Sequence, residues 1–166
     1  MLLYIGFVSV FILLIIIIIL GRLKIKNLKK ILENCNAEIA RIRTNDSILY
    51  DWLKIKQYGG TLEQYLKDNR IFNIAIYGCG VLGKVLYNEL KDTDIHVECF
   101  IDKKYENYSF DVPVIGLDSI PEIDVIIVSV INYYDDIVED LLKHGQNTII
   151  SLEDIIYGIG VPVKHE

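Results

Sequence analysis

Gly78, Gly80, Gly83 and Asp102 stand at a spacing suited to holding a nucleotide. The stretch Gly78-Cys79-Gly80-Val81-Leu82-Gly83 follows the apolar run Ile71–Tyr77 and opens a helix-like segment, Val81–Lys91. A strand, a tight glycine turn and a helix in that order form a dinucleotide-binding unit. Gly78 can take a turn that a Cβ would block, Gly80 lets the main chain approach a pyrophosphate, and Gly83 lets the helix pack on its strand. The amides of the turn and helix start, from Cys79 through Val81 and Leu82, would face the anion. Asp102 lies 24 positions after Gly78, at the end of the second apolar run. An acidic residue there is placed to accept hydrogen bonds from two ribose hydroxyls, or is an ordinary strand-end aspartate. Lys103, next along, could instead tolerate a 2′-phosphate. Asn132 leaves the fourth strand on the same edge, as a ligand contact or as a turn-forming residue.

Two competing chemistries fit less well. Gly78–Lys84 also satisfies G-x-x-x-x-G-K, but Val85 stands where a P-loop needs a hydroxyl for Mg²⁺. Tyr-x-x-x-Lys, a proton-transfer pair in short-chain dehydrogenases, occurs at Tyr50/Lys54 and Tyr87/Lys91. One pair precedes the fold and the other sits on the first helix, so both read as helix neighbours. No catalytic pair is identified. The three cysteines, Cys35, Cys79 and Cys99, have neither a disulfide nor a zinc spacing, and no metal site is expected.

Periodicity gives the helices and strands around these residues. Asp51–Tyr58 is helical and stops at Gly59-Gly60; Thr61-Leu62-Glu63-Gln64 caps a short helix. Further strands are expected at His96–Ile101, Val112–Ile115, Asp124–Val130 and Thr148–Ser151, with a helix over Tyr134–His144. Strands apolar throughout and alternating with helices imply an α/β fold, a parallel sheet of about five strands flanked by helices. The nucleotide-binding domain is expected over residues 61–160.

Two segments precede it. Residues 1–21 carry no charged side chain and are long enough to cross a hydrocarbon core, so a retained transmembrane anchor is expected. Arg22, Lys24, Lys26, Lys29 and Lys30 follow at once. Basic flanks stay in the cytoplasm, which predicts a single-pass cell-membrane protein with its N-terminus outside and its C-terminal domain cytoplasmic. Residues 22–58 read as a helical stalk. Ile25, Leu28, Leu32, Cys35, Ile39 and Ile42 follow 3-4 spacing, Asp46 interrupts, and Leu49 and Leu53 resume it. That seam allows a coiled-coil homodimer, or an amphipathic helix lying on its own domain. Residues 61–166 carry eight Lys/Arg against nineteen Asp/Glu, which argues against nucleic acid as a partner.

The motifs Tyr77–Gly83, Phe100-Ile101-Asp102, Val112–Gly116 and Asp124–Val128 together carry a resemblance. Over residues 71–157 the chain resembles the Rossmann-like nucleotide-binding domain of bacterial capsule and exopolysaccharide biosynthesis proteins. That domain occurs in membrane-attached sugar-nucleotide epimerase/dehydratases and at the N-terminus of sugar O-acyltransferases. The resemblance implies NAD or NADP as cofactor, or a nucleotide-sugar or coenzyme A instead, and polysaccharide-assembly proteins as partners. The catalytic domains of those relatives are missing here. Three functions remain open: a nucleotide-binding module, a sugar-nucleotide oxidoreductase or epimerase, and a non-binding scaffold for glycosyltransferases.

Overall fold

The computed structural model describes residues 2–145 and 148–160, with side chains from Ile17 onward. The chain divides into two compact units, Met1–Ile42 and Arg43–Glu166. Helix α1 (Leu2–Gln57) supplies all the described structure of the first unit and the opening of the second.

Among the described residues no helix is long and apolar enough to cross a membrane. The expected transmembrane anchor over residues 1–21 is corrected on this finding, and the cell-membrane location and N-terminus-outside topology fall with it. The side chains of residues 1–16 lie outside the described residues.

In the second unit α1 serves the core. Ile48, Trp52 and Ile55 are buried, spaced so that one helix face carries all three, whereas Leu53 is exposed. The second compact unit begins at Arg43 and so takes in this end of α1. The helix ends in a Schellman motif: Gly60 N–H donates to the Ile55 carbonyl, Gly59 N–H donates to that of Lys56, and Gly59 takes a φ of +81°. Helix α2 (Leu62–Asp68) opens on Thr61, whose hydroxyl accepts from Gln64 N–H. It closes in the same way, with Ile71 N–H on the Leu66 carbonyl, but here Arg70 carries the positive φ, 60°.

The sheet has five parallel strands, β1 (Asn73–Tyr77), β2 (His96–Ile101), β3 (Val114–Ile115), β4 (Val125–Val128) and β5 (Ile149–Ser151), ordered β3-β2-β1-β4-β5. β1 pairs with β2 on one side and β4 on the other, so the chain reverses its direction of travel across the sheet there. This reversal is the switch point at which open parallel sheets leave a crevice at their carboxyl edge. The β1–β2 register slips between Ile74 and Ala75, skipping Glu98 and setting Val97 and Phe100 on one face.

Alternating residues divide the core in two. Ile74, Ile76, Phe100, Val125 and Ile127 pack with α2, α3 (Val81–Leu90), α5 (Leu152–Ile159) and the end of α1. Ala75, Tyr77, Cys99, Ile101, Ile126 and Val128 pack with Ile137 and Leu141 of α4 (Tyr134–Lys143). One carboxylate joins three helices on the first face. Glu89 of α3 accepts from Trp52 Nε1 at 2.8 Å and from Leu62 N–H at 3.0 Å, and pairs with Lys56 at 3.1 Å. The partners explain why a charge is tolerated at a side chain only 9% exposed.

Candidate functional site at the carboxyl edge of the sheet

β1 runs out of the core at Tyr77 and the chain turns at Gly78, where φ is +104°. A side chain there would be strained by the backbone and would also meet Val130 Cγ2 at 2.5 Å. Gly83, in the first turn of α3, would set a Cβ 2.1 Å from the Gly78 carbonyl oxygen. Gly80 differs from both: nothing lies within 4 Å of a Cβ built on it. So Gly78 and Gly83 are small because protein fills the space, and Gly80 is small beside open space.

Ser129 holds the arrangement together. It is buried just beyond β4, its N–H donates to the Tyr77 carbonyl at 2.9 Å, and its hydroxyl reaches the carbonyls of Tyr77 (2.9 Å) and Gly78 (3.2 Å). The same Oγ lies 2.9 Å from the Cβ position of both Gly78 and Gly83. A larger residue at 129 would displace turn and helix together.

α3 then starts at Val81 with Gly80 as its N-cap, and no side chain caps it. The amides of the first turn of a helix have no partner within it, so this end carries partial positive charge. Val81 is exposed and Leu82 buried, which leaves the two as backbone donors and not as contact surfaces of one kind.

Asp102 follows β2 and is tied to the turn. Its Oδ2 accepts from Cys79 N–H at 3.1 Å and its Oδ1 from Lys104 N–H at 2.8 Å. The Cys79 amide is therefore already engaged, and the donors left for an anion start at Gly80. The Cys79 side chain is buried, and burial, then the Asp102 charge, pushes its thiol up to about 12. It is a packing residue, not a thiolate nucleophile.

A cavity of about 290 Å³ lies next to this turn, lined by Tyr77, Asp102, Lys103, Val130, Tyr133, Asp136 and Ile137. Lys103 is already paired, 2.6 Å from Asp140 on α4. That hydrogen bond is the main reason the Lys103 ammonium is held above its ordinary range and the Asp140 carboxyl below its own. Burial keeps the Tyr77 phenol protonated above its ordinary range. Tyr108, on the loop after β2, is raised by the Asp102 charge first and burial second. The walls are thus aromatic and aliphatic, and they carry two carboxylates, Asp102 and Asp136, beside the Lys103 ammonium.

The structure brings Gly78, Cys79, Gly80, Val81, Leu82, Gly83, Asp102 and Lys103 to one edge. It does not bring Asn132, which is exposed on the 3₁₀ turn Ile131–Tyr133 and does not line the cavity. Tyr133, Asp136 and Ser129 join the site only through the fold. The first two arrive from α4 and its approach, and Ser129 acts on backbone carbonyls, for which no spacing rule exists. Tyr87 and Lys91 stand at the far end of α3 from the turn and border a separate cavity with His96.

The family described as C2185-like, N-terminal, matches residues 70–150, which is a little under half of the chain. No curated protein matches it. Neither finding links the chain to polysaccharide biosynthesis or to NAD, so those associations, which rested on resemblance, are set aside as descriptions of this protein.

Proposed function

We propose that the carboxyl edge of the sheet binds a nucleotide whose ribose hydroxyls are unmodified. Asp102 is the observation that carries this reading, because one carboxylate both braces the glycine turn and borders the cavity. A carboxylate offers about four acceptor sites, and two are used by Cys79 and Lys104. The remaining capacity suits ribose hydroxyl donors. The phosphates would lie at the uncapped start of α3, on the amides of Gly80, Val81 and Leu82, where the open space beside Gly80 lets an anion approach. The base would occupy the cavity between Tyr77, Val130, Tyr133 and Ile137.

Charge decides between ligand classes. A phosphate on the ribose would meet Asp102 and Asp136, and Lys103 is committed to Asp140. NADP and coenzyme A, both phosphorylated on the ribose, are therefore disfavoured against NAD-type dinucleotides or nucleotide-sugars. Calorimetric titration of the full chain with NAD⁺, NADP⁺, a UDP-linked sugar and coenzyme A tests this. Saturable binding of NAD⁺ or the UDP-sugar is expected, about tenfold or more tighter than NADP⁺ or coenzyme A. Gly80→Asp should abolish it while leaving the unfolding midpoint in place. Saturation by none of the four, or preference for a phosphorylated ribose, would refute the assignment.

A further inference from the structure

The apolar stripe of α1 changes its use at the boundary between the two units. Beyond Arg43 the buried positions are Ile48, Trp52 and Ile55. Before it, Ile18, Ile25, Leu28, Leu32, Ile39 and Ile42 are each between 46% and 60% exposed, and Cys35 is exposed as well. These positions keep one 3-4 phase from Ile18 through Gly21 to Ile42, nearly four heptads, which is the length at which a two-stranded coil becomes credible. Asp46, the residue that interrupts the longer pattern, falls after the boundary and outside this seam.

We infer that residues 18–42 pair with the same segment of a second copy of the chain as a parallel, in-register coiled coil. The residue types fit that partner. The a positions are Ile18, Ile25, Leu32 and Ile39, mostly β-branched, which favours two strands in parallel. The d positions are Gly21, Leu28, Cys35 and Ile42, and the small ones let the helices approach. At the flanks, Glu38 (g), which also pairs with Arg41 of its own helix, faces Arg43 (e) of the second copy, an attractive contact, and Lys24 faces Lys29, a repulsive one. The charges thus roughly cancel, and the apolar seam decides.

Parallel register sets each d residue opposite its own copy, so identical cysteines should join. The full chain in non-ionic detergent, which suppresses unspecific apolar contact, is oxidised and run without reductant. Cys79 and Cys99 are buried with raised thiol pKa values of about 12 and about 11, which keeps them out of the reaction. A covalent dimer through Cys35 is expected, lost in Cys35→Ser and regained when Leu28→Cys is added. Ala37→Cys, on the outer f position, should not restore it. Leu32→Glu should convert the dimer to monomer by sedimentation while the fluorescence of Trp52, the single tryptophan, reports an unchanged core. A monomer in the unaltered chain would overturn the inference. So would equal cross-linking at position 37, or cross-linking at 35 without 28, which marks an antiparallel pair.

Discussion

Asp102 and Asp124 stand at opposite edges of the same sheet and use the same chemistry, each accepting two main-chain N–H bonds. At the amino edge both bonds fall on Asp124 Oδ2, from Phe72 and Asn73 at 2.8 Å each, and link the start of β4 to the start of β1. The Asn73 amide first, then that of Phe72, holds its carboxyl below the ordinary range. At the carboxyl edge the bonds are split between the two oxygens of Asp102, and one of them belongs to the glycine turn. Asp124 borders a cavity of about 330 Å³ lined with it by Asn73, Glu122 and Ile123, whereas Asp102 borders one of about 290 Å³ walled by tyrosines and aliphatic side chains. A carboxylate that staples backbone is common to both edges. What sets the carboxyl edge apart is an uncapped helix start and an open glycine beside the staple.

Five substitutions test that contrast. Gly83→Ala should have the largest effect, a loss of about 3 kcal/mol in denaturant unfolding, because its Cβ would overlap the Gly78 carbonyl. Gly80→Ala should stay within about 1 kcal/mol. Equal losses at the two would mean that the turn is closed throughout. Asp102→Ala comes next, with nucleotide affinity expected to fall about tenfold or more, or about 1.4 kcal/mol, in a titration where Asp124→Asn changes nothing. Third, Asp124→Asn should remove a pH-dependent contribution to stability. Its folded pKa is depressed, so that contribution is complete above the unfolded value of about 3.9 and disappears as pH falls through the folded one. Unfolding curves across the acid range should therefore be steeper in pH for the original chain than for the variant. The effect is small because Asp124 is exposed. Smallest is Arg70→Gly at the entry to β1, a gain of about 0.5 kcal/mol from relieving its positive φ, with nucleotide binding untouched.

How much of this was legible in the residues differs between fold and site. β1, β2 and β4 are short apolar runs between turn residues, and they emerge close to where that pattern puts them. β3 shrinks from Val112–Ile115 to Val114–Ile115, since Pro113 has no N–H for the ladder and contributes only its carbonyl, which accepts from Phe100. The seam on α1 was legible up to Ile42 and misleading after it. A heptad drifts about 20° against a straight helix, and the face that enters the core runs through Ile48, Trp52 and Ile55, with Leu49 half-buried against it and Leu53 left exposed. The span expected over residues 1–21 came from composition, and no described helix meets the length and apolarity that a crossing needs. At the site, glycine spacing and the position of Asp102 were readable, because both are local. The bond from Cys79 to Asp102, the pairing of Lys103 with Asp140 and the place of Ser129 depend on elements brought together only by the fold.

The most direct test follows backbone amides by ¹⁵N NMR while NAD⁺ or a UDP-linked sugar is added. Strong shifts are expected at Gly80, Val81 and Leu82, together with Asp102, Lys103 and Tyr133, while Phe72 and Asn73 at the other edge stay still. Shifts confined to the Asn73–Asp124 edge, or no saturable shift at Gly80, would contradict nucleotide binding at the carboxyl edge.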